Sequence, residues 1–156
     1  MPALRSVLDP ACVAVNVVAP DKQAALGVLA DMVAASVQTD DPAGLLRAVL
    51  DREALAPTGI GSSCAIPHAQ TDVVKRTAMA AIRLDKPLDF GAPDGTKAEL
   101  VFLIVGPKDS AAAHLRLLSR LARVLSEDEI RDRLLAAPDA SAFAELLYAT
   151  DPSACA

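Results

Sequence analysis

The chain has no tryptophan, one tyrosine and three phenylalanines. It therefore offers no row of aromatic faces on which unpaired bases could stack. Basic residues are also in deficit, 15 against 20 acidic ones, for a net charge of −5, so a nucleic-acid partner is not expected. An acidic surface instead suits a basic protein partner, drawn in by complementary steering. Long apolar runs are missing too. The most continuous, LVFLIVG at 100–106, is far too short to cross a bilayer, and polar residues interrupt the opening MPALRSVLDPACVAVNVV before a signal-peptide core can form. Cysteine is scarce and odd in number: Cys12, Cys64 and Cys155 form no CxxC pair. That pattern predicts reduced thiols, a cytoplasmic location and no direct membrane insertion.

What remains is globular. The 156 residues are 53% hydrophobic and 22% charged, enough to bury one ordinary core. No repeat, low-complexity tract or linker divides them, so 1–156 reads as a single domain. Cys12 to Val18 is β-branched and bounded by prolines, which predicts a strand. Asp21 then caps a helix carrying Leu26, Leu29, Ala30 and Val33 at helical spacing. A second helix follows in DDPAGLLRAVLDREAL, with an Asp cap, Pro42 in its first turn, and Leu45, Leu46, Val49 and Leu50.

SSCAIPHA reads as a short strand whose proline marks an end or an edge. Thr77 to Leu84 and Ala98 to Gly106 are two further strands, the second apolar on both faces as a central strand should be. Turn residues separate them, with a short extra strand expected at LDF (88–90). A long helix is expected from Ser110 after a cap at Asp109 or Ser110. A capping box at Ser126 to Glu129 opens a helix to about Ala137, and a last helix spans ASAFAELLYA. The expected architecture is α/β, a mixed sheet of about five strands with helices on both faces.

Two histidines stand out. In an extended strand Cys64, Ile66 and His68 share a face, and Pro67 stiffens the backbone before His68. The preceding turn PTGIGSS can direct amides toward an anion. His114 heads the stripe His114, Leu118, Leu121, Leu125 at the start of the long helix, where anions are favoured. Arg52 shares a stripe with Leu45 and Val49, and its guanidinium fork fits phosphate oxygens. Each residue alone has a plainer reading: a histidine bonded to a carbonyl, a residue at the core margin, a snorkelling stem. Together they suit phosphoryl transfer, with an imidazole as nucleophile and cationic or N–H donors for the transferred oxygens. With no CxxC or HExxH, neither a metal nor a cofactor is expected.

The stretch DREALAPTGIGSSCAIPHAQ resembles the signature of phosphotransferase-system enzyme IIA domains of the fructose/mannitol type. LDFGAPDGTKAELVFLIVGP and HLRLLSRLARVLSEDEIRDRLLAAPD are similar to further parts of that family, so the likeness spans a core of about 8–147. It implies that His68 is the phosphorylated nucleophile, His114 a second histidine stabilising the phosphoryl group, and Arg52 an arginine near it. The turn at Thr58, Gly59, Ile60 and Gly61 becomes a phosphate-binding loop. The implied donor is an HPr-like phosphocarrier, charged by enzyme I from phosphoenolpyruvate. The implied recipient is a downstream regulatory protein or a sugar-permease IIB. Ser63, Cys64 and Ala69 depart from the usual pattern, where Gly-Val precedes Ala-Ile-Pro-His and glycine follows it.

Because no permease or second carrier domain accompanies it, the chain resembles most the free-standing nitrogen-regulatory branch. A sugar-uptake IIA with a separately encoded permease is the alternative. A second alternative, from another class, pairs Cys64 with His68 as a thiol enzyme or redox sensor. No orienting Asn or Asp and no resolving cysteine are evident for it.

Overall fold

The apolar run at 98–106 is the strand around which the sheet is built. In the computed structural model, which describes residues 3–152, the elements run in chain order α1 (Leu4–Val7), β1 (Leu8–Val17), α2 (Lys22–Val37), α3 (Pro42–Leu55), β2 (Gly59–Gly61), β3 (Cys64–Ala65), β4 (His68–Gln70), β5 (Ala78–Leu88), β6 (Ala98–Gly106), α4 (Ala111–Leu125), α5 (Asp128–Ala136) and α6 (Ala140–Tyr148). Cys155 lies outside the described residues.

The six strands form one mixed sheet in the order β1-β5-β6-β3-β2, with β4 also on β6. β5 runs antiparallel to β6, and β1 parallel to β5. From Leu100 to Gly106, and from Ala78 to Leu84, every residue is buried. Strands without a solvent face require cover on both sides. The helices supply it: α2 packs on β1 and β5, α4 on β6, and α6 on β1.

Most expected helices begin where their caps stand. Asp21, Asp41 and Asp139 each accept the amide three residues on, at 2.8 to 2.9 Å. The buried stripe of α2 includes Leu26, Leu29, Ala30 and Val33.

Several expectations need correction. SSCAIPHA is two strands, not one. β3 and β4 run along β6 in parallel, Cys64 beside Leu100 and His68 beside Ile104, and the break falls at Ile66 and Pro67. The Pro67 carbonyl still accepts from Ile104 N–H, at 3.1 Å, so the line continues across the break. The glycine turn contains β2, paired antiparallel with β3 through a two-residue turn. Ser62 and Ser63 occupy that turn with φ of 54° and 62°. Hairpins usually reserve such angles for Asn-Gly, so this one carries no standard signal. Asp94 and Thr96 hold its two amides, and the bonds from Ser62 and Thr96 keep the Asp94 carboxyl below the ordinary carboxylate range. Gly61 is needed there: its φ is +97°, and a Cβ would come within 2.8 Å of Asp94 Oδ2.

LDF is no separate strand: Leu88 ends β5, and Phe90 turns fully inward. The capping box at 126–129 does not form. Ser126 Oγ donates instead to Arg123 O, Glu129 pairs with Arg133 at 2.7 Å, and α5 starts at Asp128. Nor do the Asp109 and Ser110 side chains cap α4; a 3₁₀ turn at Lys108–Ser110 leads into that helix instead. The four-residue α1 has no local side-chain cap either. Its first amides, Leu4 and Arg5, are taken by Asp151 from the far end of the chain.

Candidate active site

The parallel pairing of β4 with β6 delivers His68 to the carboxyl-terminal side of the sheet, opposite Ile104. β6 ends two residues later, at Gly106, and the chain turns into α4, whose first turn carries His114. A Cβ on Gly106 would press on Thr77 Oγ1 at 3.0 Å and meet His114 Nδ1 at an ordinary contact distance of 3.5 Å, so the strand end packs closely beneath the ring. The two imidazole centroids end 5.6 Å apart, with planes tilted by 58°. In an α/β sheet, ligands gather at the carboxyl ends of parallel strands.

His68 is half-buried and held at both nitrogens. Nδ1 lies 2.9 Å from the Ile66 carbonyl, and Nε2 lies 3.2 Å from Nη2 of Arg52. A carbonyl can only accept, so Nδ1 carries the proton. A guanidinium can only donate, so Nε2 presents its lone pair. Both contacts select the same tautomer. Arg52 is braced in turn by a bond from Nη1 to Ala56 O, at 3.3 Å.

His114 is different. It is 4% exposed, and neither ring nitrogen has a hydrogen-bond partner among the described residues. Burial, with a smaller electrostatic influence of the neighbouring His68, pushes its pKa down to about 4, so the ring is neutral at ordinary pH. The stripe beneath it departs from expectation. His114, Leu117, Leu121 and Leu125 are buried, whereas Leu118 is half-buried and turns to the cleft.

A cleft of about 350 Å³ opens over His68, lined on one side by Arg52, Thr58, Gly59 and Ile60 and on the other by Leu118 and Ser119. A larger groove of about 500 Å³ between α5 and α6 presents mainly alanine, proline and leucine, with Arg133 and Glu145. It lacks a nucleophile, whereas the smaller cleft holds His68. No group of three or more His, Cys, Asp or Glu among the described residues is arranged to hold a metal. No described helix is long and apolar enough to cross a membrane.

The expected phosphate loop is only partly free to act as one. The Thr58 amide donates to Glu53 Oε1 at 3.2 Å and the Gly59 amide to Phe90 O at 2.9 Å, so neither can serve an anion as it stands. Ile60 is 42% exposed at the rim.

Sequence reasoning overlooked Glu53. The buried stripe of α3 is Leu45, Val49 and Glu53, and Arg52 is only half-buried beside it. A charged residue at the third position of an apolar stripe was the available signal.

Cys64 is 1% exposed and does not line the cleft; its thiol donates to Ser62 O at 3.5 Å. Burial pushes its pKa up to about 11, against a smaller opposing pull from Arg131, which leaves almost no thiolate near neutrality. Native protein should therefore resist iodoacetamide at Cys64 and react there once denatured, as peptide mass mapping would read. Rapid native labelling at that residue would restore the thiol alternative.

Known proteins share the chain's sequence and fold. Residues 6–150 match the family described as "Phosphoenolpyruvate-dependent sugar phosphotransferase system, EIIA 2". A nitrogen regulatory protein of Pseudomonas aeruginosa is 33% identical over 144 residues, covering 92% of this chain and 94% of its own. A fructose-specific EIIA component of the phosphotransferase system from Haloferax volcanii is 38% identical over 116 residues, 74% of this chain and 75% of that one. The crystal structure of nitrogen regulatory protein IIA-Ntr from Neisseria meningitidis superposes with a TM-score of 0.85 at 27% identity, covering 91% of this chain and 97% of that one. With a match across nearly its whole length, the chain belongs to the type 2 enzyme IIA family of the phosphotransferase system.

Proposed function

We propose that this chain is a phosphoryl carrier in which Nε2 of His68 accepts a phosphoryl group from a phosphohistidine on an HPr-like protein. That donor would be charged by enzyme I from phosphoenolpyruvate. The observation that carries the reading is the double constraint on the His68 ring: Nδ1–H held by Ile66 O, and the Nε2 lone pair directed toward Arg52 and the cleft. A neutral imidazole fixed in this way is a ready nucleophile.

In the transfer, the Nε2 lone pair attacks phosphorus in line as the donor's N–P bond breaks. The bonding electrons return to the donor ring. His68 keeps its Nδ1 proton, so no base is needed. The Arg52 Nη2–H, which points to Nε2 before reaction, moves onto the phosphoryl oxygens as the lone pair is used. His114, neutral and without a partner among the described residues, offers one further ring N–H to those oxygens.

The phosphorylated surface then differs from the free one by a compact dianion in a cleft whose rim carries the exposed apolar side chain of Ile60. Such a change can switch docking through local electrostatics alone. On this reading the domain is a regulatory component of a cytoplasmic relay that passes its state to a downstream protein. The likeness to a fructose-specific EIIA component favours a second reading, in which the recipient is the IIB of a sugar permease.

The test is phosphate uptake by the purified chain from phosphoenolpyruvate, enzyme I and an HPr-like carrier, followed by intact mass. One acid-labile phosphoryl group per chain is expected. No uptake from a donor proven active on another acceptor would overturn the proposal.

A further inference from the structure

We infer that Glu53, with Lys22 as its counter-ion, is a positioning residue that sets the tautomer and aim of His68 without touching the phosphoryl group. The inference deepens the carrier reading and rests on it for its effect on rate. Glu53 is 6% exposed at the end of the buried stripe of α3. Its Oε1 receives Lys22 Nζ at 2.7 Å, and Nζ in turn lies 5.3 Å over the Phe90 ring. The same carboxylate receives the Thr58 amide at 3.2 Å and the Thr58 hydroxyl, at 2.9 Å from Oε1 and 2.7 Å from Oε2.

From Thr58 the line of bonds continues to the nucleophile. The Thr58 carbonyl accepts Ile66 N–H at 3.0 Å, and the Ile66 carbonyl accepts His68 Nδ1–H at 2.9 Å. Glu53 thus reaches His68 through Thr58 and Ile66. It also neighbours Arg52, so one carboxylate anchors the helix end that supplies the guanidinium and the loop that orients the ring.

The chemistry argues for more than packing. A buried ion pair is seldom more stabilising than apolar side chains of the same volume. Leu45 and Val49 show that the stripe accommodates apolar residues in its earlier turns. What a leucine at 53 could not supply is an acceptor for both Thr58 donors, which would otherwise be buried without partners. Loss of that anchor frees Thr58, then Ile66 O, and lets the His68 ring exchange its proton between nitrogens. A ring protonated on Nε2 has no lone pair there to attack with.

Thr58→Val keeps the volume and the amide bond but removes both hydroxyl bonds. Glu53→Gln keeps the shape, and through its one remaining oxygen acceptor should retain more function than Glu53→Ala. Each variant is checked for wild-type fold by thermal unfolding, then read by single-turnover phosphoryl transfer, by KM for the carrier, and by ¹⁵N imidazole spectra of His68. Wild type should show His68 with Nδ1 protonated and Nε2 bare. Thr58→Val and Glu53→Gln should show a mixture of tautomers and a rate lower by roughly 10- to 100-fold, as loss of partners that orient an imidazole produces elsewhere, with carrier KM unchanged. Wild-type rate and a single Nδ1–H tautomer in folded Thr58→Val and Glu53→Gln would overturn the inference, as would an effect confined to KM. If the Glu53 variants do not fold, Thr58→Val decides alone. The tautomer is read whether or not wild type accepts phosphate, so failure of the carrier reading and failure of this one are separable.

Discussion

His68→Gln is expected to take up no phosphoryl group from a carrier that loads the wild-type chain fully. Glutamine fills much the same space at a half-buried position, so the fold should persist. Its amide nitrogen has no available lone pair, however, and cannot form a stable N–P bond. The informative contrast is His114→Ala. That ring sits 5.6 Å from His68 with both nitrogens unpartnered among the described residues, and is held neutral by burial. On the proposed mechanism, removing it deletes a donor to the transferred oxygens but leaves the nucleophile. Uptake should then still reach one group per chain, at a rate lower by about 10²–10³-fold, the usual loss for one oxyanion donor. Full labelling of His68→Gln would place the acceptor elsewhere and overturn the mechanism; equal abolition by His114→Ala would make His114 indispensable to uptake and overturn its role as an accelerating donor. Intact mass after acid and base treatment distinguishes these results.

Asp151→Ala is expected to be the most damaging change outside the cleft. Asp151 is 3% exposed and accepts from Leu4 N at 2.8 Å, from Arg5 N at 3.3 Å and from the guanidinium of Arg120, itself 7% exposed. Alanine would leave the Arg120 charge buried against a weaker set of acceptors, including Thr150 O at 3.4 Å, and would uncap α1. Breaking one side of a buried pair costs about 3–5 kcal/mol. At roughly 2–4 °C per kcal/mol for a domain of this size, the melting temperature should fall by about 6–20 °C. Glu145→Ala is the control. Its pair with Arg5 is 3.8 Å long with both side chains about two-thirds exposed, and such pairs contribute almost nothing. Calorimetric melting curves that fall together for the two variants would refute the distinction.

Periodicity read the large elements well, because burial enforces it. β6 occupies 98–106 as expected, and three aspartates start the helices whose N-termini they cap. The misses share a physical cause, which is that the stabilising partner lies far along the chain. α1 depends on Asp151, and the Ser62–Ser63 turn on Asp94 and Thr96, none of which a local window contains. The break between β3 and β4 depends on how Pro67 meets β6.

At the site, His68, His114 and Arg52 stood out by residue type and by the family's motif, and the fold brings them to one place. Glu53 was hidden because an acid near a helix end ordinarily faces water. Its burial follows from the Thr58 hydroxyl and Lys22, one five residues later and the other a helix away. The engaged amides of Thr58 and Gly59 were equally hidden, since a glycine-rich turn says nothing of which carbonyls wait beside it.

The Asp151 contacts also carry a topological consequence. With Leu4 N and the Asp151 carboxylate 2.8 Å apart, residues at opposite ends of the described chain lie side by side. Neighbouring ends are what permit a domain to be spliced into a loop of a host, or its termini joined and reopened elsewhere, without stretching its interior. His68 is delivered by β4, inside the sheet, and neither end of the described chain belongs to the strands or helices that line its cleft. The fold is therefore suited to being carried as a cassette.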